Sequence, residues 1–179
     1  MSLLKDTCPS KVKGGTKFNG LTSSLDIYAT VLDIAGVQPS AEKPLDGVSL
    51  IPFLTGLNKG NPHEKLFWRK ENMAAARIGD YKLIRVKGVP SVMYQMDENP
   101  GETDNLVESQ PAKMKMLNKE LEKWEKGLVH PFWSEGEEWD AITRMIHEDL
   151  MKNKAVRVTN PAQLKKYRLR INQQRNQSK

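Results

Sequence analysis

Leu25, Tyr28, Leu32 and Ala35 repeat at helical spacing, and Ile27, Val31 and Ile34 form a second apolar stripe beside them. The pattern predicts a helix from Ser23 or Ser24, apolar over so much of its girth that burial on most sides is expected. Ser23 followed three residues later by Asp26 is a variant of the capping box, in which a hydroxyl and a carboxylate satisfy free backbone N–H groups. Gly36 is placed to end the helix in the left-handed conformation. The run Val48-Ser49-Leu50-Ile51-Pro52-Phe53-Leu54 predicts one or two helical turns, stopped at Gly56. Before the first helix, Pro9, Gly14, Gly15 and Gly20 punctuate a loop.

The period then changes. Leu66–Arg69, Met73–Ile78, Tyr81–Val86 and Val92–Met96 read as four short strands with turns at Gly79-Asp80 and around Gly88 and Pro90, which favours an antiparallel meander. Ala74-Ala75-Ala76, taken alone, would suggest helix. A polar, turn-rich stretch covers residues 97–105. Met114, Leu117, Leu121, Trp124 and Leu128 then mark one face of an amphipathic helix, with Ser109 as its N-cap and Pro111 in its first turn. That face is expected to pack across the sheet. Trp139, Ile142, Ile146 and Leu150, with Met145 beside them, predict another helix after Pro131. Asn160 before Pro161 predicts a last one carrying Leu164 and Tyr167, frayed from Asn172 onward.

The fold class is therefore α+β: a small sheet of about four antiparallel strands packed by a long amphipathic helix, plus a buried N-terminal helix and a helical C-terminal tail. Three parts are expected: a loop segment (1–22), a main body (23–128) and a helical basic extension (129–179).

Charge alters this picture only at one end. The 179 residues carry a formal net charge of +6. Residues 151–179 hold nine Lys or Arg and no Asp or Glu, while the rest holds 19 basic and 22 acidic residues. A basic tail of this kind is a candidate for nucleic acid or an anionic polysaccharide, or simply a solvated face. No DNA- or RNA-recognition motif accompanies it. The one cysteine, Cys8, allows no internal disulfide. No apolar run approaches the ~20 residues of a membrane span, and no signal-peptide pattern opens the chain.

Three segments carry a resemblance. The first is Cys8-Pro9-Ser10-Lys11-Val12-Lys13-Gly14-Gly15-Thr16, followed by Ser24-Leu25-Asp26-Ile27-Tyr28-Ala29-Thr30 and a helix ending in Ala35-Gly36. The second is Leu45-Asp46-Gly47-Val48-Ser49-Leu50. The third is Tyr81-Lys82-Leu83-Ile84 with Tyr94, then Asn99-Pro100-Gly101-Glu102-Thr103-Asp104-Asn105-Leu106. In order and spacing, over roughly residues 8–128, these resemble the C-terminal part of the sulfatase (arylsulfatase-like) family, with Asn99 where Asp is usual.

The resemblance implies that residues 23–128 form a sulfatase C-terminal subdomain. It implies a parent that hydrolyses sulfate esters with a formylglycine residue and calcium, often in the periplasm or secreted. The residues for that chemistry belong to an N-terminal catalytic domain, the expected partner of this chain. Cys8-Pro9-Ser10-Lys11 lacks the residue between Cys and Pro, and the Arg, of the family's formylglycine motif. The chain alone is expected to be inactive, without nucleophile or metal ligands.

Apart from that chemistry, His63, Trp68 and Arg69 are candidates for contact with a sulfated substrate. An aromatic side chain stacks on a sugar face, and Arg forks onto anionic oxygens. The competing reading places Trp68 in the core and Arg69 on a solvated surface. His63, His130 and His147 lack metal-ligand spacing and read as surface or loop histidines. The carboxylates at 97–104 lack the spacing of a calcium loop and read as turn formers, with Glu102 bracing the helix that follows. A separated subdomain is also expected to expose apolar surface on the 23–36 helix and to self-associate through it.

Overall fold

Backbone amides that run across a helix need acceptors, and this requirement decides how the first helix packs. The computed structural model describes residues 12, 15, 17–133, 136–154, 156 and 161–177; the Cys8-Pro9-Ser10-Lys11 segment and Asn160 lie outside them. Helix α1 spans Leu25–Ala35. Its N-terminus is held by both halves of the expected capping box: the Asp26 carboxylate accepts from the Ser23 N–H at 2.7 Å, and the Ser23 hydroxyl accepts from the Leu25 N–H at 3.3 Å. Its C-terminus is closed by Gly36 at φ 68°. There the Gly36 N–H bonds the Asp33 carbonyl and the Val37 N–H bonds the Leu32 carbonyl, the paired closure that a left-handed residue permits.

The expectation that α1 is buried on most sides is not met within this chain. The helix buries Asp26, Ala29 and Thr30, whereas Leu25, Tyr28 and Val31 are 56%, 59% and 54% exposed. The physical reason is that a backbone segment, residues 47–50, lies against it, and backbone N–H groups demand oxygen acceptors. Helix α2, Ile51–Leu54, continues from that segment and ends before Gly56, at φ 77°. Phe18 and Phe53 meet with ring centroids 6.0 Å apart.

Strands β1 (Lys65–Lys70), β2 (Met73–Ile78), β3 (Tyr81–Val86) and β4 (Val89–Gln95) form one sheet in the order β1-β2-β3-β4. The β2–β3 and β3–β4 pairs are antiparallel, with Ala76 opposite Leu83 and Leu83 opposite Met93. Strand β4 begins earlier than expected and includes Pro90. Its place at the sheet edge makes the missing N–H tolerable. Gly79 and Gly88 turn the last two hairpins with positive φ, but Glu71 does so at φ 44° in the first, without a glycine to signal it.

Helix α3 spans Pro111–Glu125. Leu117 and Leu121 are fully buried against Ala74, Ala76, Leu83 and Met93, and Met114 and Trp124 pack at the margin. The three alanines thus serve the sheet rather than a helix, and the small side chains of Ala74 and Ala76 lie beneath α3. Phe67 and Trp124 stack with centroids 5.3 Å apart. The N-cap is Gln110, not Ser109, whose hydroxyl instead donates to the Leu106 carbonyl.

Helices α4 (Glu137–Met151) and α5 (Pro161–Gln177) form a second small core of Ile142, Met145, Tyr167 and Ile171. The expected stripe on α4 is only half right, because Trp139 and Leu150 are about half exposed. Helix α5 also runs on through Asn172, where fraying is expected, to Gln177. By packing, the chain divides into two compact units between Leu66 and Phe67.

Candidate functional site

The sulfatase-like segments converge on two hydrogen-bonded nodes, one in each unit. In the first unit the node is built on Asp26, whose side chain is fully buried. One carboxylate oxygen accepts from the Ser23 N–H; the other accepts from the Val48 N–H at 3.0 Å and meets His63 Nε2 at 2.7 Å. One turn on, the Thr30 hydroxyl donates to the Asp26 carbonyl at 2.6 Å and accepts from the Leu50 N–H at 2.9 Å. Asp26 and Thr30 are four apart, so both reach the same backbone segment. Ser49 adds a bond from its hydroxyl to the Asp33 carboxylate. Gly47 is required by close approach: a Cβ there would lie 2.2 Å from the Leu25 carbonyl oxygen. The helical part of the first sequence segment and the second segment are thus the two halves of one clamp.

In the second unit the node joins β3, β4 and the turn after β4. Lys82 on β3 pairs with Glu102 at 2.5 Å. Glu102 holds φ 55° and braces the sheet, not the following helix as expected from sequence. Asn105 Oδ1 accepts from the Met93 N–H at 3.0 Å and the Val107 N–H at 3.2 Å, while the Leu106 N–H bonds the Met93 carbonyl. Asn99 Oδ1 accepts from the backbone and hydroxyl of Thr103, which makes the stretch a turn former; its Nδ2 is buried with no partner among the described residues. The Tyr94 hydroxyl is held above the usual phenol range, by burial first and then by the Glu102 charge.

Of the three candidate contact residues, His63 falls in the first unit. Its side chain is 12% exposed and engaged with Asp26, so it braces α1 from the loop before β1. A carboxylate accepts, so Nε2 is the donor and Nδ1 is the nitrogen left over. Among the described residues, no hydroxyl or thiol is bonded to it. Trp68 and Arg69 fall in the second unit. Trp68 is 47% exposed, and the place in the core belongs to its neighbour Phe67. Arg69 donates to the Val129 carbonyl at 2.9 Å, which ties β1 to the loop after α3. An open groove of about 280 Å³ lies by the β1–β2 turn, lined by Glu71, Asn72, Met73, Arg85, Lys87 and Glu125 among others; none of the three candidates lines it.

The other histidines also have local surroundings. His130 bonds the Pro131 carbonyl. His147 is not on a loop but within α4, where burial and then the Lys70 charge hold it below the usual imidazole range. Among the described residues, no group of three or more His, Cys, Asp or Glu side chains is placed to hold a metal ion, and no helix is long and apolar enough to cross a membrane. The basic tail is partly neutralised by α4: Arg168 pairs with Glu138 and Arg170 with Asp149, both at 2.8 Å.

No family model matches the chain. Residue by residue, it is 41% identical over 51 residues to the uncharacterized sulfatase YdeN of Escherichia coli, an overlap of 28% of this chain. It is 30% identical over 92 residues to the choline-sulfatase of Rhizobium meliloti, 49% of this chain. Ps i-CgsB shares the fold, with a TM-score of 0.61 over 82% of this chain at 22% identity. The chain spans 9% and 18% of the length of the two curated relatives and 34% of Ps i-CgsB. In sequence, then, the chain is related to the sulfatases and matches one part of them.

Proposed function

We propose that this chain is the C-terminal, non-catalytic part of a sulfatase, a structural piece that covers a catalytic domain through the outward face of α1. One observation carries the reading. Asp26, Thr30 and Asn105 of the sulfatase-like segments are engaged in holding backbone together, while Leu25, Tyr28 and Val31 are left facing outward. An apolar face of this size on a helix so firmly braced from behind is suited to a partner surface. Sulfate ester hydrolysis belongs to the parent. Among the described residues no group of three or more His, Cys, Asp or Glu side chains is placed to hold the calcium of that parent, and Cys8 lies outside them, so no catalytic step is assigned. Trp68 extends the proposal to the substrate: an exposed indole on β1 suits the rim of a pocket for a sulfated sugar, while Arg69, on the opposite face of the strand, would reach a sulfate only by leaving the Val129 carbonyl.

Incubating the chain with an aryl sulfate ester and calcium tests the inactive reading; turnover above the buffer blank overturns it. The surface is tested separately with an apolar fluorescent dye and gel filtration. The chain is expected to bind dye and self-associate, and the double change Leu25→Glu, Val31→Glu to reduce both. A dye-silent, strictly monomeric chain removes the case for a covered face.

A further inference from the structure

We draw no further inference here: the strongest candidate, the exposed apolar patch of Val129, Phe132 and Trp133 in the loop after α3, carries nothing because no feature of the structure shows what covers it.

Discussion

Asp26 and His63 are 37 residues apart in sequence and 2.7 Å apart in space, on a carboxylate that has no exposed surface. That carboxylate also accepts two backbone N–H groups. A buried ion of this kind is tolerable only when its oxygens are satisfied, and breaking the set leaves donors without acceptors. Asp26→Ala is expected to cost about 2–4 kcal/mol. Urea unfolding followed by circular dichroism measures it, with the exchange rate of the Val48 amide as a local reading. An unchanged midpoint with unchanged Val48 protection would refute the clamp.

Thr30 permits a sharper comparison. Its hydroxyl is both donor and acceptor, so Thr30→Val keeps the shape and orphans the Leu50 N–H. The expected loss is about 1–3 kcal/mol, with most of it recovered in Thr30→Ser. A Thr30→Val chain as stable as the parent would show that the hydroxyl contributes nothing.

Gly47 tests the same clamp by crowding. A methyl group 2.2 Å from the Leu25 carbonyl oxygen forces the two backbones apart, because neither is a flexible side chain. Gly47→Ala is expected to cost about 1–3 kcal/mol and to speed exchange at Val48 and Leu50. Gly60→Ala, on a loop where the nearest contact is 3.4 Å, is the control and should change little.

Lys82 and Glu102 are 28% and 29% exposed, so solvent screens much of their attraction. A double-mutant cycle with Lys82→Met and Glu102→Gln is expected to give a coupling of only about 0.5–1 kcal/mol. A coupling near zero would assign the position of the turn to Asn105 and its backbone bonds alone.

The α4–α5 hairpin should lose stability in acid in two steps. His147 has a folded pKa below its ordinary value, held there by burial and then by Lys70. Its contribution is present above the unfolded imidazole pKa of about 6.5 and is lost as pH falls through the folded value. Asp149 also titrates low. Burial pushes it up, but the bond and charge of Arg170, with the charge of Lys154, outweigh that. Its contribution is present above the unfolded carboxylate pKa of about 3.9 and is lost as pH falls through the folded value. His147→Gln should flatten the upper step of an unfolding-midpoint-against-pH curve, and Asp149→Asn the lower one. Curves that match the parent chain would refute both assignments.

Most element boundaries were legible because they depend on local chemistry. Gly36 and Gly56 stop helices where the sequence says they should, and Gly79 turns its hairpin, since left-handed backbone is cheap only for glycine. The four strands follow from short apolar runs between turns. Glu71 was not legible as a turn residue, because its positive φ is imposed by the hairpin and not favoured by the side chain. The alanine run became a strand because the approach of α3 needs small residues beneath it, a tertiary demand that local propensity does not contain.

The sequence by itself determined the α+β class, the meander, the face of α3 and the relation to sulfatases, since periodicity and motif order are properties of the chain. The use of the motif residues was decided only in three dimensions. Asp26 reads as a capping carboxylate and Thr30 as part of a helical motif segment, yet they are the acceptors for a backbone segment some 20 residues on. Glu102 reads as a helix brace, yet its cation lies on β3. His63 reads as a substrate-contact candidate or a loop histidine, yet its ring is bonded to Asp26. Pairings of this kind join residues far apart in the chain, and the chemistry of a residue states what it can bond to without stating which partner the fold will bring.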